Sequence, residues 1–316
     1  TINNSTSNSA TETACDSYIW SVDGNTYTAS GTYTNVTING AGCDHIETLI
    51  LTIYQADTSY TNITACDSVV WNGTTYGQSG TYSYSSSSIF SQLGQDIDGE
   101  APNDYSGVAV SLNYNGNIVA IGAKNNSNGT GHVRVYENIN GSWIQLGQDI
   151  DGESSGDHSG VSVSLSSNGY TLAIGATEND GNGTDAGHVR IYEYINSAWI
   201  QLGQDIDGES SPDESGKSVS LSSNGNIVAI GAWWNDANGD DAGHVRIYEY
   251  TNSSWIQLGQ DIDGENIYDR SGISISLSSN GYTLAIGATE NDGNGADAGH
   301  VRVYNWSGTS WIQIGQ

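Results

Sequence analysis

The side chains that could do chemistry in this chain recur at fixed spacing. One set is Asp149-Ile-Asp151-Gly-Glu153-Ser-Ser-Gly-Asp157, with oxygen-bearing side chains at positions 1, 3, 5 and 9. It returns as Asp96, Asp98, Glu100 and Asp104, as Asp205, Asp207, Glu209 and Asp213, and as Asp261, Asp263, Glu265 and Asp269. Hard cations need several carboxylate and carbonyl oxygens converging from one tight loop, so this spacing points to calcium. The competing use is structural, with the same carboxylates accepting hydrogen bonds from backbone and from arginine to tie one repeat to the next. Four of the seven basic residues, Arg134, Arg190, Arg246 and Arg302, share one repeat position, where a guanidinium fork can grip a carboxylate. His132, His188, His244 and His300 stand two residues earlier. Their identical recurrence in every repeat reads as structural rather than catalytic. A second cation candidate is the loop carrying Asp180, Asn182 and Asp185, copied at Asp236, Asn238 and Asp241 and at Asp292, Asn294 and Asp297. It lacks a later Glu to clamp bidentately.

These residues are positioned by an internal repeat. Trp143, Trp199, Trp255 and Trp311 stand 56 residues apart, in step with the histidines, and a period of this length marks a repeat architecture. Within one unit, Val161, Val163 and Leu165 alternate with serines, and Leu172, Ala173 and Ile174 form a short apolar run. Val189 and Ile191 then alternate with polar neighbours, and Trp199-Ile-Gln-Leu closes the unit. That is four short strands of period two with no helical stripe. Asn168-Gly169 favours a tight turn between the first two strands. The polar, glycine-rich stretch from Glu178 to Gly187 reads as an exposed loop. The predicted fold is all-β: four tandem four-stranded blades of a β-propeller-like array in 56-residue repeats, preceded by small disulfide-stapled β-modules.

At Ser159-Gly-Val-Ser-Val and Ala173-Ile-Gly-Ala the unit resembles the FG-GAP repeat, the blade of integrin α-chain heads and of many bacterial surface proteins. The resemblance covers about residues 90 to 316 and recurs at Ser106-Gly107 with Gly122-Ala123, Ser215-Gly216 with Gly231-Ala232, and Ser271-Gly272 with Gly287-Ala288. The Phe of the family name is Ser here, and the Pro after Gly-Ala is Lys124, Thr177, Trp233 or Thr289. The family's calcium loop lies between its first two strands, where this chain has a short Ser-Asn-Gly or Tyr-Asn-Gly turn. The resemblance therefore carries the blade over more safely than the metal.

A different repeat precedes the blades. Cys15-Asp-Ser-Tyr-Ile-Trp20 returns as Cys66-Asp-Ser-Val-Val-Trp71, and these modules look like those strung along very long secreted proteins of gliding and marine bacteria. The domain frame is a linker at 1–12, a small Cys-stapled module at 13–57, and a truncated second module with a Ser-rich linker at 58–89. Blades follow at about 90–142, 143–198, 199–254 and 255–316. A unit this small usually needs a staple, and a disulfide would supply ~2–4 kcal/mol. Three cysteines allow three pairings; Cys15–Cys43 is favoured because both lie in the complete copy, with free thiols as the alternative.

Composition bounds the function. A net charge of -29 argues against nucleic acid or an anionic membrane as partner, since both demand a cationic face. No apolar run is long enough to span a bilayer, so direct membrane insertion is not expected. The chain contains no Met and has no signal-peptide pattern, so it is expected to be a mature or excised piece. No nucleophile elbow, no His-Glu-x-x-His and no phosphate-cradling loop appears, so no enzyme is expected. The reading is an extracellular, cell-surface structural or adhesive segment whose partners are other surface proteins, glycans or copies of itself. Two alternatives remain open: a lectin-like propeller using Trp233 and Trp234, and a self-assembling filament.

Overall fold

The structure is a computed structural model that describes residues 4–54, 63–64, 68–71, 74–82 and 92–315. It divides into two compact units, Thr1–Ser88 and Ile89–Gln316.

In the first unit a three-stranded sheet has Asp44–Tyr54 at its centre, flanked by Thr6–Cys15 and Gly31–Ile38. Residues 6–12, expected as linker, instead belong to an edge strand. Their small polar side chains stay exposed, and the segment is held by a parallel ladder to the central strand running from Thr6↔His45 to Cys15↔Tyr54. One face of the sheet buries Leu49, Leu51 and Ile53 against Trp20, with Tyr18, Tyr27 and Tyr33 packed around them.

The expected Cys15–Cys43 disulfide is not formed, and both thiols are free among the described residues. The register supplies the reason. Cys15 pairs with Tyr54 at one end of the central strand, whereas Cys43 immediately precedes its other end at Asp44. A strand of that length separates them by roughly 30 Å at ~3.3 Å per residue, far beyond the ~7 Å that a disulfide tolerates between Cα atoms. The third cysteine, Cys66, lies outside the described residues. Of the second module, Val69–Trp71 pairs antiparallel with Thr74–Tyr76.

The second unit is four antiparallel, four-stranded, propeller-like blades. Blade 1 comprises Ser106–Leu112, Ile118–Ala123, His132–Ile139 and Ser142–Gln145. Blade 2 comprises Ser162–Leu165, Thr171–Ala176, His188–Ile195 and Ala198–Gln201. Blade 3 comprises Ser218–Leu221, Ile227–Ala232, His244–Thr251 and Ser254–Gln257. Blade 4 comprises Ser271–Leu277, Thr283–Ala288, His300–Trp306 and Trp311–Ile314. In each, the strands are neighbours in chain order. The blades are offset from the predicted boundaries, because each tryptophan strand folds back on the strand before it. Asn196 and Ser197 both take positive φ in the two-residue turn that makes this hairpin, as do Asn252 and Ser253, which is the geometry of a tight hairpin.

The sequence reading missed a short fifth strand. Ile150–Asp151, Ile206–Asp207 and Ile262–Asp263 each pair with the third strand of the blade just completed. The first half of each of the last three acidic loops is thereby sewn to one blade before the chain enters the next. Gln92–Gln95, ahead of blade 1, has no strand structure.

Most of the core sits between blades, with one smaller cluster, Val119, Ile121 and Tyr136, inside blade 1 against Ile97 and Trp143. One cluster joins Ile118, Ala120, Val133, Val135 and Ile150 of blade 1 to Leu165, Leu172, Ile174, Tyr192 and Trp199 of blade 2. Equivalent clusters join blades 2 and 3 and blades 3 and 4. The second strands of blades 1 to 3 are buried at every residue, which explains why they read as continuous apolar runs. Close approach depends on the glycine of Ile-Gly-Ala. A Cβ on Gly175 would lie 2.1 Å from the carbonyl oxygen of Gly216 in the next blade, and one on Gly231 would lie 2.0 Å from that of Gly272.

Candidate functional site: the seams between blades

Each seam carries the same set of polar clamps, and the residues singled out in the sequence are distributed among them. The first clamp is built on the tryptophans. Trp199 Nε1 donates to the Leu146 carbonyl at 2.7 Å. Its backbone N–H donates to Gln148 Oε1 at 3.1 Å, and Gln148 Nε2 donates back to the Trp199 carbonyl at 2.8 Å. The arrangement repeats with Trp143 on Leu93 and Gln95, Trp255 on Leu202 and Gln204, and Trp311 on Leu258 and Gln260. The Leu-Gly-Gln turn of one repeat thus holds the tryptophan of the next. Sequence reading missed this role, although Leu-Gly-Gln recurs before every acidic loop.

The acids of each loop separate to different places. The ninth-position aspartates turn inward: Asp157 Oδ2 accepts from the Ser154 N–H at 2.9 Å and from Asn179 Nδ2 at 3.0 Å. Asp104 and Asp269 accept equivalent pairs, and Asp213 accepts the Glu209 and Ser210 N–H groups. All four are buried, and backbone donors of this kind are the usual partners of a buried carboxylate. At the third position the backbone carbonyl serves as acceptor. Arg134, Arg190, Arg246 and Arg302 donate through NH2 to the carbonyls of Asp98, Asp151, Asp207 and Asp263 at 2.6–2.8 Å. The Asp207 and Asp263 carboxyls are pushed up, first by burial and then by Asp205 and Asp261 respectively.

The fifth-position glutamate faces both the arginine and the histidine of its repeat. Glu153 lies 3.6 Å from Arg190 NH1 through one oxygen and 3.9 Å from His188 Nδ1 through the other. Glu100, Glu209 and Glu265 stand in the same relation to the His–Arg pairs of their own repeats, at 3.6–4.0 Å. The glutamates are exposed and the pairs long, so each ion pair contributes at most about 1 kcal/mol. Each guanidinium also lies 5.6 Å from the ring centre of the tyrosine two residues on, as Arg190 does over Tyr192. Burial, aided by Arg190, pushes the His188 imidazole down, and burial with Arg246 pushes His244 down to about 4.

The first-position aspartate of the following loop completes the group. Glu100, His132 and Asp149 bring one ligand atom each within 4.8 Å of one another, as do Glu153, His188 and Asp205, and Glu209, His244 and Asp261. These sets draw on two successive acidic loops and a strand, whereas the sequence reading grouped the acids loop by loop. The signal available in the sequence was the common 56-residue phase of the histidines and aspartates, which the glutamates share from Glu153 onward.

The longer loop is largely self-bonded. The Asp185 N–H donates to Asp180 Oδ1 at 3.0 Å and the Gly181 N–H to Asn179 Oδ1 at 2.9 Å. Beside it Glu153, Asp157, Glu178, Asp180 and Asp185 line a cavity of about 480 Å³. Burial, with Glu178 and Asp180, raises the Asp185 carboxyl.

Trp233 and Trp234 break the repeat, standing where the other blades have Lys124-Asn125, Thr177-Glu178 and Thr289-Glu290. Their rings stack at 5.3 Å, and Trp233 Nε1 donates to Glu214 Oε2 at 2.8 Å. Lys217 Nζ lies 4.4 Å from the Trp233 ring centre and the Arg270 guanidinium 5.1 Å from it. Arg270 comes from the segment leading into blade 4, so Trp233 bridges two blades through cation–π contacts.

No family model matches the chain, and no curated protein matches it. Among solved structures it is similar to a candidate 6-phosphogluconolactonase of Bacteroides uniformis, at TM-score 0.46 and 13% identity, over 66% of this chain and 53% of that one. Hydrazine synthase of Kuenenia stuttgartiensis gives TM-score 0.43 and 11% identity, over 71% and 53% respectively. TolB of Acinetobacter baumannii gives 0.39 and 12%, over 65% and 42%. The chain thus spans about half the length of these proteins or less, and the description of its blades rests on its own sheets.

Proposed function

We propose that this chain is a segment of an extracellular, cell-surface protein in which stacked blades act as a structural or adhesive spacer. The observation that supports this most is the sameness of the seams: tryptophan clamp, Arg–carbonyl bond and buried aspartate recur blade after blade. A catalytic or ligand-selecting site would be expected to depart from the repeat at one place. The strongly negative surface suits a medium rich in cations, and calcium is the proposed counter-ion, drawn to the acidic loops and to the carboxylate-lined cavity beside Asp180 and Asp185. Protease shaving of intact source cells tests the location: release of peptides from residues 90–316 supports the proposal, and release only after lysis contradicts it.

Glycan binding is the second reading, favoured by the departure from the repeat at Trp233 and Trp234. A carbohydrate array separates the two. Saturable binding abolished by Trp233→Ala supports a lectin, and absence of binding supports a spacer.

A further inference from the structure

We propose that Glu209, His244 and Asp261 form a binding site for a divalent cation of the zinc class, and that Glu100–His132–Asp149 and Glu153–His188–Asp205 are its two equivalents. Three observations carry this beyond an acidic cluster. His244 is 0% exposed, and neither of its ring nitrogens has a hydrogen-bond partner among the described residues. Its Nδ1 nevertheless faces Glu209 Oε2 at 3.9 Å, too far for a hydrogen bond. Zinc–ligand bonds of about 2.0–2.2 Å at a tetrahedral angle set two ligand atoms about 3.4 Å apart, so a cation fits between these atoms once they close by roughly half an ångström, where a proton does not. The third ligand oxygen, on Asp261, lies within 4.8 Å of both.

The donor set selects the metal class. One imidazole nitrogen and two carboxylate oxygens suit zinc and its first-row neighbours, whereas calcium takes six to eight oxygens. Arg246 lies 3.6 Å from the other oxygen of Glu209 and leaves Oε2 to the cation. Two carboxylates against one guanidinium give the site a residual negative charge. Position gives the site a purpose within the fold. Glu209 arrives on a loop whose preceding residues, Ile206–Asp207, are sewn to blade 2, while His244 begins the third strand of blade 3. A cation joining them cross-links adjacent blades.

The test is calorimetric titration of the EDTA-treated, dialysed full chain with zinc chloride alone, repeated on His244→Gln and Glu209→Gln. The expected result is micromolar or tighter binding with one fewer zinc per chain in either variant, and a zinc-dependent rise in melting temperature that is smaller in the variants. The difference in stoichiometry is the readout, so zinc taken up by Cys15, Cys43 or His45 cancels. No uptake at these concentrations, or equal stoichiometry in wild type and variants, overturns the proposal. If His244→Gln does not fold, Glu209→Gln, which alters a carboxylate already 42% exposed, decides alone. Excess calcium that displaces zinc completely also counts against the assigned class.

Discussion

Blades 3 and 4 have related sequences but different surroundings. In blade 3 every residue of the second strand, Ile227–Ala232, is buried. In blade 4 the same strand, Thr283–Ala288, alternates between buried and half-buried. Val245 is fully buried, whereas its counterpart Val301 is 65% exposed. A Cβ on Gly231 would strike the backbone of the next blade at 2.0 Å, while one on Gly287 would meet only Ser274 of its own blade. The difference teaches that each blade supplies half of its own core and receives the other half from the blade that follows, as expected of a stacked repeat.

The largest effect that sharpens this comparison is steric. Gly231→Ala is expected to destabilise the chain by ~3 kcal/mol or more, since a backbone neighbour cannot move aside cheaply. Gly287→Ala is expected to cost less than about 1 kcal/mol. Urea titration of both variants reads the contrast, and equal costs would break it. Next comes the tryptophan clamp. Trp255→Ala should lose ~3–5 kcal/mol, and Trp143→Ala clearly less, because Trp143 remains partly exposed and holds only the loop before blade 1.

A pH effect of similar or smaller size belongs to the buried histidine. His244 titrates near 4 in the folded chain and near 6.5 when unfolded. Above about 6.5 it has no effect on stability, and as pH falls from there to about 4 the unfolded state gains the proton first. Up to ~3 kcal/mol is then lost in EDTA. Glu209, raised by burial, acts in the opposite sense at the acid end. Thermal melts of wild type and His244→Gln across this range should converge at acid pH, and a constant gap between them would refute the assignment. Smallest is Trp233→Ala, which removes two cation–π contacts and should cost about 1–2 kcal/mol.

The strands and their order were legible because the alternation of Val161, Val163 and Leu165 and the run at Leu172–Ile174 state the period directly. The offset of blades from repeats was less visible, since Trp199 opens one repeat in sequence but closes a sheet in space. The acids misled more. Within a loop, Asp149, Asp151, Glu153 and Asp157 look convergent, yet Asp149 meets Glu100 and His132 of the preceding unit, Glu153 faces His188 and Arg190 of the following one, and Asp157 turns inward to Ser154 and Asn179. The cysteines misled because a small module suggested a staple, whereas a parallel edge strand contributed by residues 6–15 completes the sheet and carries Cys15 away from Cys43.

Native-state hydrogen exchange tests the central claim most directly. If neighbours supply half of each core, amides of Ile227–Ala232 exchange far more slowly than those of Thr283–Ala288, although both strands are paired on both sides within their sheets. Equal protection of the two strands would mean that each blade is stable by itself and would contradict the account.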